Sequence, residues 1–392
     1  MGEGPGVIDR AALRDERLAR LQSAMRARDL EVCLLFNEPN IRYATGASAM
    51  PVYAMSTFVR CAVVPAEGTP ILFEHGNSAH RSRHVAHDVR PMHAWEFYDD
   101  PAAEAATWAR ETVGAFEEAG VTGRTVAVDR LGTPGFLALQ TSGFTIVDSA
   151  PATQAAREVK TPAEIALMRR NGALVVDMLT VFEHSVVPGT RECDLLAILS
   201  DVMLRGGGEY LATNTVCAGL NANPWRSEAT ERELKPGELV FVDTDTVGIG
   251  GYFFCVSRTF PVPGEAPRAA HADSYKAAHD WLEQMKALVR PGVTCGELAA
   301  QAPLLPERWL PQRYECMIHG IGLEEESPSV CYPIDPQSNA GRVIEEGMTL
   351  VVELYGGELG GDHGIKLGDQ VLVTASEVEV LAPYPFSDVL LG

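Results

Sequence analysis

The spacing of apolar residues divides this chain into short strands and amphipathic helices. Between Ala11 and Arg28, Leu18, Leu21 and Met25 fall on one helical face, and Glu31–Phe36 reads as the strand that follows. Asn37-Glu-Pro-Asn40 reads as a turn into Ile41–Gly46, and Ala49–Thr57 as a semi-apolar loop without periodicity. Strands at Cys61–Val64 and Ile71–Glu74 flank a turn at Ala66-Glu-Gly68. A helix near Ala103–Ala119, a strand at Thr125–Asp129, a helix near Pro134–Leu139 and a strand at Thr145–Asp148 complete an α/β domain. The Pro- and Ala-rich stretch from Ser149 to Glu158 reads as its boundary, which places an N-terminal domain over residues 1–155 and a second over 156–392.

The second domain opens on a helix. Thr161-Pro-Ala-Glu164 is a capping box with proline at the first helical position, ahead of Ile165, Met168, Ala173 and Val176. A further helix runs from Thr190 to about Leu204, and another from Ala272 to Val289, stopped by Arg290-Pro-Gly-Val293. Strands follow near Thr213–Ala218, Tyr314–Gly322, Met348–Leu354 and Ile365–Thr374. Long strands with helices of this kind predict an α+β domain built on a curved antiparallel sheet.

One hairpin concentrates the polar chemistry. Leu239–Val242 is an apolar run ending in Asp243 and Asp245, two residues apart and so on one side of a strand. Gly248-Ile-Gly-Gly251 turns the chain, and Tyr252–Phe260 returns with Cys255 beside the carboxylates. His319, in His-Gly-Ile-Gly322, and Glu353 lie on other predicted strands. Imidazole and carboxylates converging from separate strands form the ligand set of a divalent metal, and the glycines beside His319 suit a close approach to the backbone.

Composition narrows the partners. Acids outnumber bases 53 to 32 over 392 residues, a formal charge of −21, which disfavours nucleic acid and anionic membranes and leaves a small molecule as the expected partner. No apolar run approaches the length of a membrane span, and Met1-Gly-Glu-Gly-Pro-Gly6 has no basic end followed by an apolar core. Eight cysteines without a Cys-x-x-Cys pair suit reduced thiols in a cytoplasmic protein.

The Asp243/Asp245 hairpin, His319-Gly-Ile-Gly322, the Glu353 strand and Lys366–Thr374 resemble the pita-bread fold of methionine aminopeptidase, prolidase and creatinase. Within that fold the chain is most similar to the dimethylsulfoniopropionate lyases, nearly end to end, through Asn40-Ile-Arg-Tyr-Ala-Thr45, Asn223-Pro-Trp225, Val242-Asp-Thr-Asp245, Cys316-Met-Ile-His-Gly-Ile-Gly-Leu323 and Tyr384-Pro-Phe386. The resemblance implies a homodimer in which a loop carrying Tyr53 reaches the neighbouring subunit's site. Asp243, Asp245, His319 and Glu353 match metal ligands, but the two bridging carboxylates of metal-dependent relatives correspond to Cys255 and Gly368. Without those bridges the expectation is no metal, or a single zinc or iron on Asp243, His319 and Glu353, with Cys255 as thiolate and Asp369 or His363 as substitutes; a binuclear centre is not expected. The segment Gly219–Arg226 also lacks the histidine that peptidases and creatinase carry there.

The resemblance implies Glu325 as a buried base with a raised pKa and Tyr314 as an acid or orienting donor. Tyr53, Trp225 and Tyr314 would offer π faces to an onium group, while Tyr332 reads as ordinary packing. Asp243 and Asp245 would bind substrate or metal. The leading expectation is therefore a lyase that cleaves a small zwitterionic carboxylate by proton abstraction and elimination. A metal-independent C–N hydrolase using His319 and Glu353, in the manner of creatinase, is the alternative. Cys255 as a covalent nucleophile and a non-catalytic binding or scaffold role are the remaining readings.

Overall fold

The early strands pair into one six-stranded sheet. They are β1 (Val32–Leu35), β2 (Cys61–Pro65), β3 (Ile71–His75), β4 (Asp88–Met92), β5 (Thr125–Val128) and β6 (Thr145–Asp148), in the order β4-β3-β2-β1-β5-β6. The β1–β2 and β2–β3 pairs are antiparallel and the others parallel. This is a computed structural model that describes residues 9–52, 57–226 and 228–392, and its chain divides into two units after Arg157. The first unit's core gathers Val32, Leu34, Val63 and Val126 from the sheet with Phe36, Trp95, Trp108 and Phe116, and the two indoles meet edge to face at 4.8 Å. Two segments differ from their sequence reading. Asn37–Asn40 opens a helix, Glu38–Thr45, because Pro39 is accommodated in a first turn. Ser149–Glu158 likewise holds a helix, Ala150–Arg157, in which alanines outweigh a proline confined to the start.

The second unit's strands are β7 (Tyr210–Leu211), β8 (Val216–Ala218), β9 (Leu239–Asp243), β10 (Thr246–Val247), β11 (Phe253–Phe254), β12 (Ser257–Pro261), β13 (Ile318–Ile321), β14 (Glu325–Val330), β15 (Thr349–Gly357), β16 (Gly364–Val373) and β17 (Val378–Val380). The large sheet runs β14-β13-β15-β16-β12-β9-β8, with β17 also on β16, and every pair in it is antiparallel. The predicted hairpin is split. Its base, β9 with β12, belongs to the large sheet, while its tip, β10 with β11, pairs with β7 in a separate three-stranded sheet. The capping box at Thr161 and Glu164 starts the helix Pro162–Ser185 as read from the sequence.

Register decides which side chains share a face. Asp243 pairs with Ser257, Ser257 with Gly368 and Gly368 with Glu353, so these four stand in one row across β9, β12, β16 and β15. Period-two alternation puts Phe241, Thr259, Lys366 and Tyr355 on that same face. The intervening residues Leu354, Leu367 and Val371 point the other way, into the main core with Trp281, Leu282 and Met285 of the helix Ala269–Leu288. Asp369 also belongs to that far face, where it accepts from Arg258 at 2.7 Å and Lys286 at 2.6 Å.

The glycines after His319 serve the sheet itself. The register of β13 on β14 shifts between His319 and Gly320. A Cβ on Gly320 would lie 2.4 Å from the Ser327 carbonyl oxygen, and one on Gly322 would lie 2.4 Å from Glu326 Oε1. What approaches the backbone there is strand β14. Gly320→Ala is therefore expected to lower stability by ~1–3 kcal/mol, the range for overpacking a filled site; an unchanged denaturation midpoint would contradict this packing.

A titratable group lies at the start of the helix Ala269–Leu288. His271 is 2% exposed, takes hydrogen bonds on Nε2 from Arg268, and faces the His363 ring at 4.8 Å. Burial, then the charges of Arg268 and His363, lower its pKa to about 4 against the opposing effect of Asp362. An unfolded histidine titrates near ~6.5. Between these values the unfolded chain holds the extra proton, so the folded state loses stability as pH falls through that window. Denaturant unfolding of wild type and His271→Gln across the window should show a steeper acid loss in wild type; parallel curves would refute the assignment.

Candidate active site

The row of Asp243, Ser257, Gly368 and Glu353 is the floor of the polar cluster, and an ammonium stands on it. Lys366 Nζ donates to Glu353 Oε2 and lies 3.4 Å from Asp243 Oδ2; Lys366 and Glu353 are both fully buried. The ammonium also lies 3.8 Å from the centre of the Tyr314 ring and 5.0 Å from that of Trp225. Trp225 packs at 4.9 Å on Tyr314 and stacks at 5.9 Å on Tyr355, beside Phe241, which makes a small aromatic wall.

The other oxygens face protein donors. Asp243 Oδ1 accepts from Ser257 Oγ at 2.9 Å and Cys255 Sγ at 3.3 Å. His319 Nδ1 faces the Gly320 carbonyl oxygen at 2.9 Å, and Nε2 is in ion-pair contact with Glu353 Oε1 at 3.2 Å. No well-aligned donor reaches Glu353 Oε1, and the buried Trp225 Nε1–H has no acceptor among the described residues. Among the described residues, Gln370 Nε2 beside the cluster is likewise without a hydrogen-bond partner.

Electrostatics fixes the protonation pattern. Burial alone would lower the His319 pKa, but the Glu353 carboxylate and the Gly320 carbonyl outweigh it and raise it to about 9, so both ring nitrogens carry protons at neutral pH. Burial would raise Glu353, yet Lys366 and then His319 bring it down to about 2. Asp245 is pushed up to about 7 by burial and by the charges of Asp243 and Glu353. Burial, together with Asp243, Asp245 and Glu353, holds the Cys255 thiol well above its ordinary range. Tyr314 is raised by burial and by the same carboxylates, so it remains a phenol.

The structure brings together Asp243, Asp245, Cys255, Tyr314, Trp225, His319 and Glu353. Strand β9 ends at Asp243 and Asp245 lies beyond it, yet one ligand atom from each of Asp243, Asp245 and Cys255 falls within 4.8 Å of the others. Several expectations are corrected. Glu325 is exposed on β14, so the burial that was to make it a strong base is lacking. Burial and the neighbouring carboxylates hold the Cys255 thiol well above its ordinary range, which disfavours the free thiolate that a nucleophile requires. The π faces of Trp225 and Tyr314 are turned to Lys366 instead of an open box. Asp369 lies on the far face of β16, and His363 bonds Ser274 and Asp362. Tyr332 packs in the main core, as read from the sequence. Tyr53 lies outside the described residues.

Sequence reasoning missed Lys366 and Ser257. The signal was available for the lysine. It sits in the ten-residue buried strand Gly364–Val373, where an unpaired lysine is disfavoured, and two residues from Gly368 it must share that residue's face.

At the positions that the resemblance assigns to bridging carboxylates stand Cys255 and Gly368, and a Cβ on Gly368 would lie 2.9 Å from Glu353 Cβ and 3.2 Å from Ser257 Oγ. Asp243, Asp245 and Cys255 are close enough to meet around one ion.

Comparison with known proteins agrees with this architecture. Residues 166–375 match metallopeptidase family M24, and residues 17–159 match the creatinase/prolidase N-terminal domain. The dimethylsulfoniopropionate lyase DddP of Roseovarius nubinhibens is 32% identical over 404 residues, 99% of this chain and 90% of that protein. The lyase of the same name from Roseobacter denitrificans is 33% identical over 98% of this chain and 88% of that one. Among solved structures, dipeptidase PepE from Mycobacterium ulcerans superposes with a TM-score of 0.77 at 24% identity, covering 97% of this chain and 98% of that one. Prolidase from Thermococcus sibiricus gives 0.78 at 18% identity, covering 97% and 99%. Two domains in the same order, a pita-bread sheet bearing the polar row, and a match across more than half of the sequence establish that this chain belongs to metallopeptidase family M24.

Proposed function

We propose that this protein is a lyase that cleaves a small zwitterionic carboxylate by removing the proton alpha to the carboxylate and expelling the group beta to it. The observation that carries this reading is the similarity of 32% and 33% across nearly the whole of both chains to two dimethylsulfoniopropionate lyases, against peptidase structures that share the fold at 24% identity or less. The altered bridging positions support it, because elimination requires a base and a held carboxylate but no activated water.

In this reading the substrate carboxylate is taken by the Trp225 indole N–H, which lacks an acceptor among the described residues, and by the Tyr314 phenol, with the His319 imidazolium beside them. The base is a carboxylate. Glu325 is the one the resemblance implies, but exposure leaves it well solvated. Asp245 is half-buried, and its pKa of about 7 suits proton transfer near neutrality. The divalent ion implied by the family would sit on Asp243, Asp245 and Cys255, if the thiol gave up its proton, and would supply Lewis acidity there. The protein's cytoplasmic location and its homodimer, with Tyr53 at the partner's site, belong to this proposal.

The creatinase-like alternative rests on one contact, His319 Nε2 to Glu353 Oε1 at 3.2 Å, which keeps a proton on the imidazole for a leaving nitrogen. Dimethylsulfoniopropionate incubated with the protein in deuterium oxide separates the two. Elimination should release acrylate and dimethyl sulfide and wash deuterium into recovered substrate. Asp245→Asn should lose ~10²–10⁴ in turnover, and Glu325→Gln much less. Wild-type turnover in Asp245→Asn would end its assignment as base, and C–N cleavage of an amide-type substrate without exchange would favour the hydrolase. Light scattering should report a dimer at micromolar concentration; a monomer would remove the shared-site part of the proposal.

A further inference from the structure

We propose that the ε-ammonium of Lys366 is the resident cation of this site, standing where the family's metal would lie. The proposal concerns the same cluster as the lyase reading but does not depend on it, because its test reads metal uptake and not turnover.

Three observations converge. Lys366 is fully buried, and its Nζ is bonded to Glu353 and 3.4 Å from Asp243, so it lies between two side chains that match family metal ligands. The positions matched to bridging carboxylates are both occupied by residues without a carboxylate, which leaves fewer negative charges for a cation to balance. Gly368, two residues along the same strand, presents no side chain, and the Glu353 Cβ and Ser257 Oγ occupy the space in which a carboxylate stem would begin. Cys255 donates to Asp243 Oδ1 in place of a second carboxylate, and Ser257 donates to the same oxygen at 2.9 Å. Finally, the ammonium is walled by Tyr314 at 3.8 Å and Trp225 at 5.0 Å, whose π faces favour a cation and offer no ligand atoms to a metal.

A monovalent cation tethered to the strand matches this set better than a free dication. Lys366 needs two carboxylates and a π face, all present, and loses no binding entropy because the chain delivers it. A dication entering among Asp243, Asp245 and Cys255 would meet the ammonium as a like charge. Lys366 is thus a positioning residue. It holds Asp243 and Glu353 apart, as a metal would.

The test uses the full-length protein, dialysed against chelator and titrated with cobalt(II), whose thiolate-to-metal absorption band reports capture by Cys255. Wild type should take up less than one equivalent and show no such band. Lys366→Met, close in length and uncharged, should gain cobalt affinity by at least ~10-fold, the scale on which groups around a metal site act, and should show the band. A full equivalent of tightly bound cobalt in wild type, carrying the band, overturns the proposal, and this arm needs no variant to fold. A folded Lys366→Met chain that still takes up no cobalt overturns it as well, because something other than the ammonium would then exclude the ion.

Discussion

The second unit is arranged around a buried ammonium and the carboxylates that make its burial possible. An unpaired charge in a protein interior is strongly penalised, and a paired one is tolerated only when its geometry is satisfied. Lys366 meets that condition through Glu353 and Asp243, and the condition propagates. With one oxygen of Glu353 on the lysine, the carboxylate stays ionised and its other oxygen faces His319. The imidazole then keeps both protons, and Nδ1 engages the Gly320 carbonyl at the register shift between β13 and β14. A single charge on β16 thereby sets protonation on β15 and β13.

Alternation on β16 carries a second ionic cluster on its other side. Lys366, Gly368 and Gln370 face the polar row, and Gln370 receives the backbone N–H of Cys255 at 3.0 Å. Leu367, Asp369 and Val371 face the helix Ala269–Leu288, and Asp369 holds Arg258 and Lys286 there. The strand is buried on both faces and charged on both, so slipping it by one residue would exchange Lys366 with Leu367 and strand both clusters in apolar surroundings. Register is specified here by charge as much as by hydrophobic pattern.

Much of this was legible in the sequence, for physical reasons that differ between segments. The Thr161 capping box and the apolar run into Asp243 act locally, so spacing alone found them. His319 and Glu353 were recognisable because imidazole and carboxylate on apolar strands call for a partner. The partner itself was hidden. Nothing local says that Gly368 lies opposite Glu353, and only that register turns Lys366 from one lysine among several into the centre of the cluster. For the same reason the glycines after His319 read as room for a ligand, although Ser327 and Glu326 of β14 fill that space. Glu325 and Glu326 show the limit most directly. They are adjacent acids, one exposed and one buried on Lys160 at 2.6 Å, and a pairing 166 residues away decides which is which.

The same constraint bears on the chemistry. A family that hydrolyses peptides with bound metal needs charge placed to create a nucleophile from water. Among the side chains of this cluster, Lys366 is committed to two carboxylates and the His319 imidazolium to one, and neither has a lone pair with which to take a proton from water. What the cluster retains is an indole N–H without an acceptor among the described residues, Trp225 Nε1, and the Tyr314 phenol beside it, with Asp245 close to its own midpoint of ionisation at neutral pH. Donors that hold an anion beside a carboxylate able to take a proton are the requirements of an elimination. Within the proposed lyase reading, this pairing is what supports carbon–heteroatom cleavage without water as a reactant.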